Sequence, residues 1–193
     1  MLEELVKRNR SYRRFHQDER IELKLLRRLV DLARHSASSA NRQPLKYVLT
    51  VDPDTNQKVF ETLKWAGYLK EWDGPGEGER PAAYIVILGD TTIHKTFSVD
   101  HGIAAQSILL GATEAGFGGC MVASIDQLKL KRVLALPEHL VVLLVVALGK
   151  PAEEVVVESV DSEGKIEYYR GPDGVHHVPK RPLGELVVGE FGS

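Results

Sequence analysis

Apolar positions in this chain recur at two spacings, and each spacing predicts a kind of element. Ile21, Leu25, Leu26, Leu29, Val30 and Ala33 follow one another at three and four residues, which predicts an amphipathic helix. It opens at Asp18 and Glu19, where negative charge suits the positive end of a helix. Leu2 to Arg8 predicts a short helix before it, and Val59, Leu63 and Ala66 predict another over Asn56 to Leu69, after an Asp52-Pro53-Asp54 turn. A fourth runs from Ser98 to Ala115. Gly102, Ala104, Ala105, Ser107, Gly111 and Ala112 keep it thin, so neighbouring elements can approach closely and the helix is expected to be central. Leu128 to Leu134 is a short fifth, closed by Leu136-Pro137. Four runs lack helical spacing and predict strands: Tyr47 to Val51, Ala82 to Gly89, Gly118 to Ile125 and Leu140 to Leu148. The second is apolar on both faces, as an interior strand is, and the last carries the strongest strand signal.

The periodicity breaks in five places. Between Arg34 and Pro44 the chain is rich in short hydroxyl and amide side chains, which favour caps and tight turns and leave room for a flat polar ligand. An ordinary polar connector has the same composition. Glu71 to Pro81 predicts a mobile surface loop, flanked by Trp65, Tyr68 and Trp72, whose rings finish a core or line a pocket. Gly116 fits a helix C-cap, while Gly118 and Gly119 would let backbone amides face a ligand. From Ala152 the chain turns charged and irregular. Leu186, Val187, Val188 and Phe191 then make an apolar tail over residues 183–193, which returns to its own core or packs on a partner chain.

Composition narrows the function classes. At 193 residues one domain is expected, and a formal net charge of -2 leaves no global attraction for nucleic acid or an anionic membrane. Any anion site must therefore be local. One cysteine, Cys120, excludes an internal disulfide framework and sits in an apolar strand, where a structural role is expected. The longest apolar run is far below the ~20 residues a spanning helix requires. Met1 is followed by acidic and basic residues instead of an apolar signal core, so a cytoplasmic location is expected.

Chemistry is concentrated in a few stretches. Arg8, Arg10, Arg13 and Arg14 crowd around Asn9 and Ser11, a donor set suited to phosphate oxygens, although a solvated basic patch reads the same way. Lys180 and Arg181 form a second basic knot beside His176 and His177, which point to opposite faces of a strand and so do not share a metal. No Gly-x-Gly-x-x-Gly follows the first strand, and neither a Walker lysine loop nor a Gly-x-Ser-x-Gly elbow is present. Nucleophilic catalysis lacks a candidate, and His101, His176 and Tyr68 are the conceivable proton donors. Two basic knots, a Ser/Asn loop and a glycine turn suit an anionic, partly aromatic cofactor that supplies the chemistry itself.

In that order the motifs resemble the FMN-dependent nitroreductase family. Arg10-Ser11-Tyr12-Arg13-Arg14-Phe15 is similar to the family's phosphate-binding start, and Ser38-Ser39-Ala40-Asn41-Arg42-Gln43-Pro44 to its Ser-Ser-x-Asn-x-Gln-Pro loop. The resemblance implies an α+β fold, a three-layer α/β/α sandwich whose mixed, mainly antiparallel sheet is flanked by helices, in a homodimer sharing its FMN sites. It implies that Arg10, Ser11, Arg13, Lys180 and Arg181 hold the phosphate, and that Ala37, Ser38, Ser39 and Asn41 meet the partner's flavin. Met121, Ala123 and Ser124 would lie along the ring, backbone amides near the last two facing N5. NADH or NADPH would reduce the flavin and leave, and a small organic acceptor would take the electrons. No nucleic acid, membrane or metal enters that scheme. Ala37 stands where the family often has proline, Leu45 where an aromatic commonly follows Gln-Pro, and Met121 and Ala123-Ser124 where nitro-reducing members carry Pro and Glu-Gly. Flavin reduction, dehalogenation or flavin fragmentation on the same fold, and a non-catalytic FMN-binding role, stay open.

Overall fold

The computed structural model describes residues 1–192; Ser193, the last residue of the apolar tail, lies outside the described residues. Its framework is set by one long strand. Leu140–Pro151 (β5) pairs along one edge with Ala83–Asp90 (β3), and β3 pairs in turn with Leu45–Thr50 (β2). Along its other edge β5 takes Gly118–Val122 (β4), and its last two residues pair with Phe15–His16 (β1), so five strands form one antiparallel sheet.

Side chains alternate across that sheet because successive Cβ atoms of a strand point to opposite faces. Ile85, Ile87, Leu144, Val146 and Leu148 pack against Leu23–Arg34 (α2) and Asp100–Glu114 (α4). Tyr84, Val86, Val145 and Ala147 face the other way, with Cys120 and Val122, onto Pro53–Phe60 (α3) and Gln127–Val133 (α5). The result is the expected α/β/α sandwich with a core on each face. The thin helix behaves as anticipated: a Cβ on Gly111 would lie 2.6 Å from Leu32 Cδ1 and 2.9 Å from Leu29 Cδ2, so the bare position lets these α2 leucines pack directly on α4. Leu2–Arg8 (α1) also forms as expected.

Several boundaries differ from the periodicity: β4 ends at Val122 and not Ile125, α3 starts at Pro53 inside the expected turn, and two differences are larger. The helix α2 begins at Leu23; Asp18 and Glu19 instead belong to a turn in which Glu19 N donates to His16 O at 3.1 Å, and Ile21 reaches the core from extended chain. The helix α3 stops at Phe60 and not Leu69. Thr62 Oγ1 donates to Val59 O at 2.6 Å, Leu63 bridges to Ile125, and Lys64 N donates to Ser124 O at 2.9 Å. Val59 and Leu63 both enter the core, so the apolar spacing is satisfied without a continuous helix.

Residues after Pro151 are more ordered than their composition announces. Val155–Ser159 (β6), Tyr169–Arg170 (β7) and His176–Lys180 (β8) make a second sheet in which β8 runs parallel to β6 and antiparallel to β7. Leu183–Leu186 (α6) follows, and the tail lies away from both cores, with Val188 and Phe191 fully exposed. The 71–81 loop is fastened to the residues on either side of β1: Gln17 Oε1 accepts from Gly78 N at 2.8 Å, and Arg14 pairs with Glu79. Its Gly74 adopts φ +120 with its backbone against the Trp65 ring, where a Cβ would lie 2.6 Å from Cδ1. Among the described residues no helix is long and apolar enough to cross a membrane.

Candidate functional site

The N-terminal basic segment is laid along the edge of the sheet. Ser11 bridges to Gly119 and Tyr12 N donates to Gly119 O at 3.0 Å. The two glycines expected to offer amides to a ligand serve this packing instead: a Cβ on Gly118 would meet the Tyr12 ring at 2.5 Å, and one on Gly119 would stand 2.2 Å from Ala147 O. Where this segment meets β4, α4 and β8 a cleft of about 240 Å³ opens, lined by Asn9, Arg10, Ser11, Gln106, Met121 and Lys180 among others. Arg10, Ser11, Met121 and Lys180 are thus brought together from three distant parts of the chain. Arg10 Nη2 donates to Val6 O at 2.8 Å, while its Nε is buried with no acceptor among the described residues.

Arg13 and Arg181 stand apart from that group. Arg13 turns behind the cleft, donating from Nη1 to Ser11 O and to His176 Nε2, each at 3.3 Å, with its guanidinium 4.8 Å from the Tyr168 ring centroid. Arg181 pairs with Glu185 on α6 at 3.1 Å. Ala123 and Ser124 are exposed just beyond β4, outside the cleft lining.

The Ser/Asn loop belongs to a second cleft, of about 170 Å³, lined by Ala37, Ser38, Gln43, Tyr47, Asp100 and Ala104. Ser38 Oγ donates to Asp100 Oδ2 at 2.6 Å, Ser39 N donates to Asp100 Oδ1 at 3.0 Å, and Gln43 N donates back to Ser38 Oγ at 2.9 Å. These bonds hold Ala40, Asn41 and Gln43 at φ near +50, a left-handed region that costs residues with a Cβ. Asp100 is buried, and no short-range pattern ties it to serines sixty residues earlier. With Ser38 committed inward, Ser39 and Asn41 are exposed polar groups of the loop, alongside Ala37, Ala40, Arg42 and Gln43. Both clefts border α4, at Gln106 and Leu109 in the first and at Asp100 and Ala104 in the second.

A further carboxylate escaped the sequence reading. Glu153, 2% exposed, accepts from Arg13 N at 2.5 Å and Arg14 N at 3.1 Å through Oε1, and from Arg170 Nη2 at 2.9 Å through Oε2. It ties the basic segment to the small sheet. The adjacent histidines part as strand geometry requires. His177 stacks on Tyr169 and binds Glu158 at 3.0 Å, whereas His176 is buried against Arg13 and Tyr168. Burial pushes His176 below its ordinary pKa of 6.5; Glu153 opposes this, while Arg13, Arg170 and His177 add to it. Its neutral ring accepts the Arg13 hydrogen bond, so the folded state excludes a proton that the unfolded chain takes up. Stability from this site is full above about pH 6.5 and is lost as pH falls below it. The urea midpoint is therefore expected to drop between pH 7.5 and pH 5, and to drop less in His176→Gln, which keeps an acceptor but cannot titrate; equal slopes would show that His176 is not the group responsible.

Cys120 is buried, and burial pushes its thiol up to about 12, as a structural cysteine requires. His101, His176 and Tyr68, the conceivable proton donors, line neither cleft.

Comparison with known proteins agrees with this architecture. Residues 6–150 match the model of the nitroreductase family. An NADH dehydrogenase of Thermus thermophilus is 26% identical over 175 residues, covering 76% of this chain and 85% of that one. Among solved structures, a nitroreductase family protein from Streptococcus pneumoniae superposes with a TM-score of 0.73 at 15% identity, over 98% of this chain and all of its own. An FMN-dependent nitroreductase from Clostridium difficile gives 0.64 at 22% identity, over 78% of this chain and 87% of that one. The family match covers the whole antiparallel sheet except the last residue of β5, and the chain belongs to the nitroreductase family.

Proposed function

We propose that the protein is an FMN-dependent oxidoreductase that draws electrons from NADH or NADPH and hands them to a small organic acceptor, working as a homodimer with shared flavin sites. The observation that carries this reading is the first cleft, where Arg10 and Lys180 converge with Ser11 and Met121 and where a buried Arg10 N–H lacks an acceptor. A phosphate supplies such acceptors, and guanidinium and ammonium groups are its usual partners. When bound, FMN supplies the two-electron redox chemistry. The chain's own work is placement: Arg10 and Lys180 hold the phosphate, with Ser11 beside it. Arg13 orients Ser11 through its carbonyl, and Arg181, paired with Glu185 in this structure, would reach the phosphate only on giving up that pair. Met121, 39% exposed, offers a soft apolar surface to the ring, with the backbone of Ala123 and Ser124 beyond it.

The shared site rests on the second cleft. The loop of Ala37, Ser38, Ser39 and Asn41 is held rigid by Asp100 yet turns Ser39 and Asn41 outward, where a neighbouring chain's flavin would meet them. Two features call for a second copy. Helix α4 carries small or apolar residues on nearly every side, and the tail leaves Leu183, Leu186, Val188 and Phe191 uncovered. Covering both would give an obligate interface.

The visible spectrum of protein reconstituted with FMN is the primary test, joined to NADH and NADPH oxidation with a quinone, a nitro compound and free flavin as acceptors. A yellow dimer oxidising either nucleotide is expected. No flavin band would sink the cofactor assignment, and a stable flavin-loaded monomer in sedimentation would sink the shared site.

A further inference from the structure

We propose that a third cleft, on the opposite end of the paired strands β2 and β3 from the Ser/Asn loop, is a binding site for a small organic monocarboxylate with an apolar body. The cleft measures about 660 Å³ and shares no lining residue with either cleft described above, so the inference stands independently of the flavin reading. That volume falls within the range of small-molecule sites.

The polar groups of its wall decide the ligand's chemistry, because nearly all are already spoken for. Asn56 accepts from Thr50 Oγ1 at 2.9 Å and donates to Ala82 O at 2.8 Å. Gln17 Oε1 accepts from Gly78 N and Arg80 N, and Gln57 bonds Arg80 through its oxygen and Glu61 through its nitrogen. Two buried groups of the wall are left over among the described residues, while the exposed Asp18 and Arg20 side chains have solvent. Tyr84 is wholly buried on β3, and its hydroxyl has no partner. Arg80 has a buried Nε with no acceptor, while its guanidinium lies 4.5 Å from the Phe60 ring centroid. Buried polar groups are nearly always hydrogen-bonded in native proteins, and two orphans lining one cleft point to a missing partner.

Both orphans donate. Burial holds the Tyr84 phenol well above its ordinary pKa, so it keeps its proton, and a guanidinium has no acceptor to offer. The ligand must therefore bring acceptor oxygens. Its charge follows from the wall, where the guanidinium groups of Arg20 and Arg80 face a single acid, Asp18, and one positive charge remains for a monoanion. A carboxylate brings two acceptor oxygens, the kind of partner either orphan lacks. Phe60, Ile21, Val51 and Pro81 supply the apolar remainder, and Phe60, already flat against Arg80, suits a ring in the ligand's body.

Calorimetric titration of the purified protein, run both without and with added FMN, against benzoate and 3-phenylpropanoate tests this, with benzamide as the uncharged control. Saturable binding of at least one carboxylate is expected, silent in the flavin absorption spectrum and absent for benzamide. Arg80→Gln should weaken it tenfold or more. Tyr84→Phe, which removes one buried oxygen and keeps the ring in the core, should weaken it about threefold to tenfold without lowering thermal stability. Failure of both acids to bind, affinity unchanged in either variant, or binding that shifts the flavin spectrum would each overturn the assignment. FMN affinity measured alongside should match the parent in both variants, since neither residue touches the first two clefts.

Discussion

An Arg10→Glu variant is expected to fold normally and to purify without flavin, its FMN affinity at least a hundredfold below that of the parent. The side chain contributes little to the monomer's own stability, its one internal bond running from Nη2 to the Val6 carbonyl. Toward a phosphate it contributes a charge-assisted hydrogen bond from a donor that otherwise stays unpaired in a buried position. Hydrogen bonds to charged groups are worth roughly 1.5–3 kcal/mol, and placing a carboxylate against the phosphate dianion adds repulsion, so a loss of about 3 kcal/mol, or about a hundredfold, is a modest expectation. Fluorescence quenching of FMN on titration with apoprotein measures it, with circular dichroism and thermal unfolding of the flavin-free protein confirming the fold. Arg10→Gln should fall between the two, and Arg13→Gln should cost FMN affinity less, because the Arg13 guanidinium meets the Ser11 carbonyl, His176 and the Tyr168 ring and does not line the cleft. Parent-like affinity in Arg10→Glu would remove Arg10 from the phosphate site.

The contrast between Arg10 and Arg13 shows where sequence reading stops. Elements whose residues interact locally were legible: Leu140 to Leu148 reads as a buried strand and became the strand on which three others assemble, and the thin helix reads as central and became the helix bordering both clefts. Boundaries failed where tertiary contact satisfied the same pattern by another route. Leu63 reaches the core by bridging to Ile125, and periodicity cannot tell that from one more helical turn. Within a motif, composition named a donor cluster but not its directions. Which arginine faces the cleft and which supports it depends on His176, Tyr168 and Glu153, more than a hundred residues away along the chain. Asp100 and Glu153 were missed for the same reason, since a buried carboxylate is defined by partners that only the fold brings near. The small sheet escaped because its strands are short, mixed in character and half parallel, leaving no period to read.

Removing Glu153 is expected to have the largest effect on stability of any single change outside the hydrophobic cores. Its carboxylate is 2% exposed and accepts two backbone amides as well as Arg170, whose own side chain is only 19% exposed. Glu153→Ala leaves those amides and a buried guanidinium without a counter-charge. Breaking a buried pair by removing one partner costs about 3–5 kcal/mol, and that range is expected here from urea unfolding, seen as a lower midpoint at unchanged slope. Much of this is the penalty of stranding Arg170, so the double variant Glu153→Ala, Arg170→Met should recover a substantial part, its methionine packing on Trp72 where the guanidinium now sits 4.9 Å from the ring centroid. The site should suffer too, because Arg13 and Arg14 hang from Glu153 and carry Ser11 and Arg10 with them. FMN affinity should fall in the single variant, and saturating FMN should restore part of its stability by mass action. A Glu153→Ala protein within about 1 kcal/mol of the parent would mean that the Ser11–Gly119 bridge and the Tyr12 hydrogen bond alone hold the basic segment to the sheet, leaving Glu153 as a satisfied bystander.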